Sequence, residues 1–93
     1  MLKISYDSDS SLARQVLRLE GQIAGRWVAE LRRVYDERRD NSHPLTIDLK
    51  DVTFIDRSGV AFFADVYPEV VLVNCSLFAA EQLKPVIERQ ETV

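Results

Sequence analysis

Asp48, Asp51 and Asp56 stand close together in the chain, and Arg57, Ser58 and Gly59 follow the last of them directly. Carboxylates grouped in this way could hold a metal ion or support phosphoryl transfer, but both chemistries need companions. No Asp-x-Asp pair, glycine-rich phosphate loop or histidine at ligand spacing accompanies these three. Alternation along a strand turns Asp48 outward, and Asp51 is expected in a turn. We therefore expect no catalysis, no metal and no cofactor. Cys75 is the sole cysteine, so an intrachain disulfide or a cysteine metal cage is excluded. It follows the apolar run Val70–Val73 and reads as a half-buried structural thiol. His43, the sole histidine, precedes Pro44 in an expected exposed turn.

What remains is a corner. Behind Asp56-Arg57-Ser58-Gly59 comes Val60 to Tyr67, an apolar run stopped by Pro68. Asp56 or Ser58 can cap this helix by accepting from its first free N–H groups. Gly59 permits a tight turn and leaves the helix end bare. Such an end welcomes negative charge, whether a phosphoryl group, a carboxylate or an acidic side chain of a partner. Helical spacing puts Val60, Phe63, Ala64 and Tyr67 inward. That leaves Phe62 and Val66 on a flank, where they line a partner groove or pack under a neighbouring element.

The elements that must position this corner are legible from periodicity. Residues 2–6 read as an edge strand, followed by a polar loop from Asp7 to Ser11. Gln15 to Glu20 alternates as a second strand, ended by Gly21. Ala24, Trp27, Val28, Leu31, Val34 and Tyr35 then fall on one face of a helix reaching Arg39, with Arg26, Glu30, Arg33 and Glu37 opposite. Leu45, Ile47 and Leu49 alternate as a third strand before the short apolar segment Val52–Ile55. Val70–Val73 reads as a strand buried on both faces. After Ser76, Leu77, Ala80, Leu83 and Ile87 share a helical face that Pro85 must kink or split in two. Residues 89–93 are expected to fray.

The order β-β-α-β-α-β-α implies crossovers and a layered α/β domain with a mixed central sheet. At 93 residues the whole chain, 1–93, makes one domain. The composition, 46% hydrophobic and 29% charged with net charge −3, is that of an ordinary globular protein. The arginines between Arg14 and Arg39 are interleaved with acids, which argues against nucleic acid as a partner. No secretory leader and no apolar run long enough to span a bilayer is present, so a soluble cytoplasmic protein without membrane insertion is expected.

The run Ile47-Asp48-Leu49-Lys50-Asp51-Val52-Thr53-Phe54-Ile55-Asp56-Arg57-Ser58-Gly59-Val60 resembles the signature of STAS domains, shared by sulphate transporters and bacterial anti-sigma factor antagonists. Leu17 to Ile23 is similar to the family's earlier strand end, and Val71 to Ser76 to its later strand and turn. The resemblance covers roughly residues 14–84. It implies a non-catalytic module that regulates transcription by binding an anti-sigma factor with serine-kinase character. In such antagonists the first serine after the aspartate is phosphorylated, and the added charge releases the partner. Here Arg57 occupies that acceptor position and Ser58 the second hydroxyl position. The resemblance therefore implies a member without the usual phosphoserine switch, with Ser58 a cap rather than a phosphosite. Asp56, Arg57, Ser58, Gly59, Phe62 and Val66 are the expected docking residues. The alternative is a small cytoplasmic STAS subunit of an ABC-type lipid transport complex, bound to its ATPase. The sequence does not specify the oligomeric state.

Overall fold

The computed structural model describes residues 1–9, 14–39 and 44–91. Strands β1 (Leu2–Asp9), β2 (Arg14–Ile23), β3 (Leu45–Ile55) and β4 (Val70–Val73) form one sheet in the order β1-β2-β3-β4. The β1–β2 pair is antiparallel, and β2–β3 and β3–β4 are parallel. Helices α1 (Arg26–Arg38) and α2 (Arg57–Val66) supply the crossovers. After β4 come α3 (Leu77–Gln82) and α4 (Lys84–Glu91). This is the expected mixed sheet with flanking helices, with the last helical stretch in two pieces.

Period two sorts the strands into two faces. Leu17, Leu19, Leu45, Ile47 and Leu49 are buried beneath the helices, together with Phe62, Phe63 and Leu83. The opposite face presents Lys3, Ser5, Asp7, Arg18, Glu20 and Val71 to solvent. Arg18 bonds Asp7 there at 3.1 Å and lies 4.0 Å from Asp48, while Lys3 lies 4.0 Å from Glu20. On α1, Val28, Leu31 and Tyr35 are buried, with Trp27 and Val34 packed against the core, as the stripe requires. Outside, Arg33 bridges Glu30 and Glu37 along the helix.

Several boundaries differ from expectation. β1 continues to Asp9 because backbone pairing with β2 is indifferent to polar side chains on a solvent-facing edge. The loop expected at Ser10 and Ser11, and the turn expected at Asp40–His43, lie outside the described residues. β2 runs past Gly21, whose φ of +105° only glycine adopts easily, and Gln22 N–H donates to Met1 O. Asp51 lies within β3 and not in a turn. Two bulges, between the pairs Arg18–Asp48 and Glu20–Asp51 and between Gly21–Val52 and Gln22–Phe54, add residues to β3. They bring Leu49, Val52 and Ile55 to the interior despite their spacing of three. β4 is an edge strand, so Val71 is 45% exposed and the run is not buried on both faces. Pro85 sits at the start of α4, where its missing N–H costs nothing, and α4 spans Lys84–Glu91.

Candidate functional site

The corner after β3 is built on Asp56. Its backbone is extended (φ −88°, ψ −177°), which makes it the N-cap of α2. Oδ1 accepts from Gly59 N–H at 2.8 Å and from the Ser58 hydroxyl at 2.7 Å. Oδ2 accepts from Gly25 N–H at 3.0 Å, in the turn that leads into α1. These bonds favour the ionised form and hold the carboxyl below its ordinary range, the Ser58 hydroxyl contributing most, then Gly25 N–H and Gly59 N–H. Asp56 is thus the cap, and Ser58 serves it as a donor.

Arg57 and Ser58 are exposed on the first turn of α2. Among the described residues Arg57 has no ion-pair partner. It adds a positive charge to the first turn of a helix whose end carries a positive partial charge. Gly59 belongs to the helix and is buried; its role is close approach. A Cβ there would meet Ile23 O at 2.8 Å and Ile55 Cγ2 at 2.8 Å. Asp56 N–H also donates to Ile23 O at 3.1 Å, so the start of α2 is pressed against the ends of β2 and β3.

Phe62 and Val66 do not join the corner. Phe62 is fully buried and Val66 only 4% exposed, which corrects their placement on a partner-facing flank. The physical reason is that α2 is wedged between the sheet and α1. Phe62 makes edge-to-face contacts with Tyr35 (centroids 5.8 Å) and Phe63 (5.2 Å). Above them Arg32 bonds Asp65 at 2.8 Å and lies 5.1 Å over the Phe62 ring. Gly59, Phe62, Phe63 and Val66 form the inward face, leaving Val60 and Ala64 half-buried.

The outward face carries a stripe that sequence reasoning missed. Arg57, Val60, Ala61 and Ala64 line a shallow cleft of about 200 Å³ with Pro85 and Val86 of α4. Their spacing of three, four and seven from Arg57 is the signal that could have found it.

The other chemistry-bearing residues stay apart. Asp48 lies on the open sheet face and accepts from Lys50 N–H at 2.9 Å. Asp51 is exposed on β3. Among the described residues no three metal-ligating side chains come together. Cys75 is exposed rather than half-buried, yet desolvation by its surroundings raises its thiol pKa, the reverse of an activated nucleophile. His43 lies outside the described residues.

The family model described as "Mlab, STAS domain" matches residues 7–86, and the chain belongs to that family. The crystal structure of an anti-sigma-factor antagonist STAS domain from Rhodobacter sphaeroides superimposes with a TM-score of 0.66. It covers 89% of this chain and 95% of that one at 18% identity, a likeness of fold. No curated protein sequence matches the chain.

Proposed function

We propose that this STAS domain is a non-catalytic regulatory module that docks another protein through Asp56, Arg57, Ser58 and Gly59 and the adjoining outward stripe of α2. The observation that carries this reading is the exposed Arg57 at the start of a capped helix, where a cation and a helix end reinforce each other. The complementary partner surface is acidic. Phe62 and Val66 act behind it as core. The anti-sigma reading is a kinase-like partner bound without a phosphoserine switch, because Arg57 stands at the acceptor position. Ser58 is engaged with Asp56 at 2.7 Å, which suits a structural hydroxyl.

A second reading rests on the same arginine. A partner that phosphorylates nothing has no use for an acceptor serine, and the ATPase of an ABC-type lipid transport complex is such a partner. A cytoplasmic setting goes with both readings. No helix among the described residues is long and apolar enough to cross a membrane.

Calorimetric titration of the purified chain against the kinase-type anti-sigma factor and the transport ATPase of its own organism separates the two readings. Arg57→Asp should weaken the productive pairing by about tenfold or more. An unchanged Kd removes the corner from the interface. Stoichiometric phosphate on Ser58 after incubation with the kinase overturns the switch-less reading.

A further inference from the structure

Strand β1 is one edge of the sheet, and among the described residues nothing pairs with its outer side. It is eight residues long, without proline or bulge, so its outward N–H and C=O groups offer a continuous template for another strand. Beside it an open groove of about 700 Å³ separates β1 from α1, with Leu2, Ile4 and Tyr6 along the strand and Trp27, Val34 and Arg38 on the helix. Ile4, Tyr6, Trp27 and Val34 are each only partly buried against the core, with Arg26 lying 5.1 Å over the Trp27 ring and Arg38 4.3 Å over that of Tyr6.

We propose that this edge joins two copies of the chain, β1 pairing antiparallel with β1 of the second copy about a twofold axis at Ser5. The sequence of the strand is complementary to its own reverse in this register. Lys3 falls opposite Asp7 of the second copy, and Asp7 opposite its Lys3, on the open face, where within each copy Asp7 also accepts from Arg18 at 3.1 Å and Lys3 lies 4.0 Å from Glu20. Ile4 falls opposite Tyr6, and Tyr6 opposite Ile4, on the groove side. Opposite charges and an aromatic beside a β-branched residue are the favourable directly opposed pairs of antiparallel sheet. Shifting the axis by one residue to Ile4 or to Tyr6 loses the Ile4–Tyr6 pairing, and only the Tyr6 axis keeps an opposite-charge pair, Lys3 with Asp9. The contact is isologous and closes on itself, giving a dimer and not a fibre. It extends the sheet to eight strands from the four of each copy. It uses none of the residues at the start of α2.

Sedimentation velocity of the full chain over a concentration series tests this, with Lys3→Asp and Asp7→Lys as variants and circular dichroism confirming that each is folded. The wild type should dimerise reversibly. Each single reversal should raise the dimer Kd by about tenfold or more, because symmetry makes two opposed pairs repulsive at once. Mixing the two variants should restore dimers, each copy then supplying the charge the other lacks. Ser5→Cys in a Cys75→Ser background should form a disulfide-linked dimer on mild oxidation, as Ser5 faces itself on the axis. A wild-type chain that stays monomeric into the millimolar range overturns the proposal. So does a dimer that neither reversal weakens, or one that the Ser5→Cys chain fails to cross-link.

Discussion

Asp56 and Gly25 lie 31 residues apart in sequence and are joined by a hydrogen bond of 3.0 Å from Gly25 N–H to Asp56 Oδ2. One carboxylate therefore closes two turns, the one after β2 and the one after β3. Gly25 itself has φ +58°, and the first N–H groups of α1 are met by Ala24 O and Gly25 O without a side-chain cap of that helix's own. The orientation of both crossover helices meets at a single ionisable group.

Stability should consequently depend on the charge of Asp56. Its folded pKa is lowered, so its contribution is complete above the ordinary aspartate range near pH ~4 and is lost as pH falls through the lowered folded value. Urea unfolding of the wild type and Asp56→Asn should differ most at neutral pH and converge on acidification. Because the Ser58 hydroxyl is the largest cause of the lowering, Ser58→Ala should raise the Asp56 pKa toward its ordinary value in an NMR titration.

Gly59→Ala sets two effects against each other. Replacing glycine inside a helix ordinarily stabilises by up to ~1 kcal/mol. Here the new methyl meets the Ile23 carbonyl oxygen at 2.8 Å, a backbone atom that cannot step aside alone. Overpacking should win, with a net loss of ~1–3 kcal/mol in chemical denaturation. A stabilised variant would show that α2 lifts freely off the strand ends.

Phe62→Ala removes a fully buried ring that touches both Tyr35 and Phe63. The expected cost is ~3–5 kcal/mol, read as a fall in the urea midpoint. A loss below ~1 kcal/mol would mean that the ring is not held in the core.

Arg57→Asp should move stability and binding in opposite directions. An acid in the first turn of α2 complements the helix end and should add ~0.3–1 kcal/mol at low salt, while the same change repels an acidic partner. Thermal unfolding at low and high ionic strength checks the first half, since the gain should shrink as salt is added. A destabilised Arg57→Asp would mean that Arg57 supports the fold.

Much of this architecture was legible because the hydrophobic period changes cleanly from two to 3.6 and back between Leu17 and Leu49, and because Pro85 forbids one long final helix. The corner was legible as Asp-Arg-Ser-Gly before an apolar run. Its long-range partner Gly25 was not, since nothing local announces which turns a fold will bring together. The inward face of α2 was misread because Val60 to Tyr67 is apolar nearly all round, and a helix covered on two sides gives periodicity no single face to choose. The full span of β3 was hidden for another reason. Its bulges interrupt the alternation at Lys50–Asp51 and Thr53–Phe54, so a continuous strand imitates a strand followed by a fragment.

Those bulges also govern where the corner falls. β3 spends two residues more than β2 between Leu45, opposite Gln15, and Ile55, opposite Ile23. The surplus is what delivers Asp56 to the level of Gly25. A one-residue deletion anywhere between Leu49 and Phe54 would leave every residue of the Asp56–Gly59 motif intact and still put the wrong side chain beside the turn into α1. The docking corner is thus measured out along the strand before it, and its reach toward another protein depends on that tally.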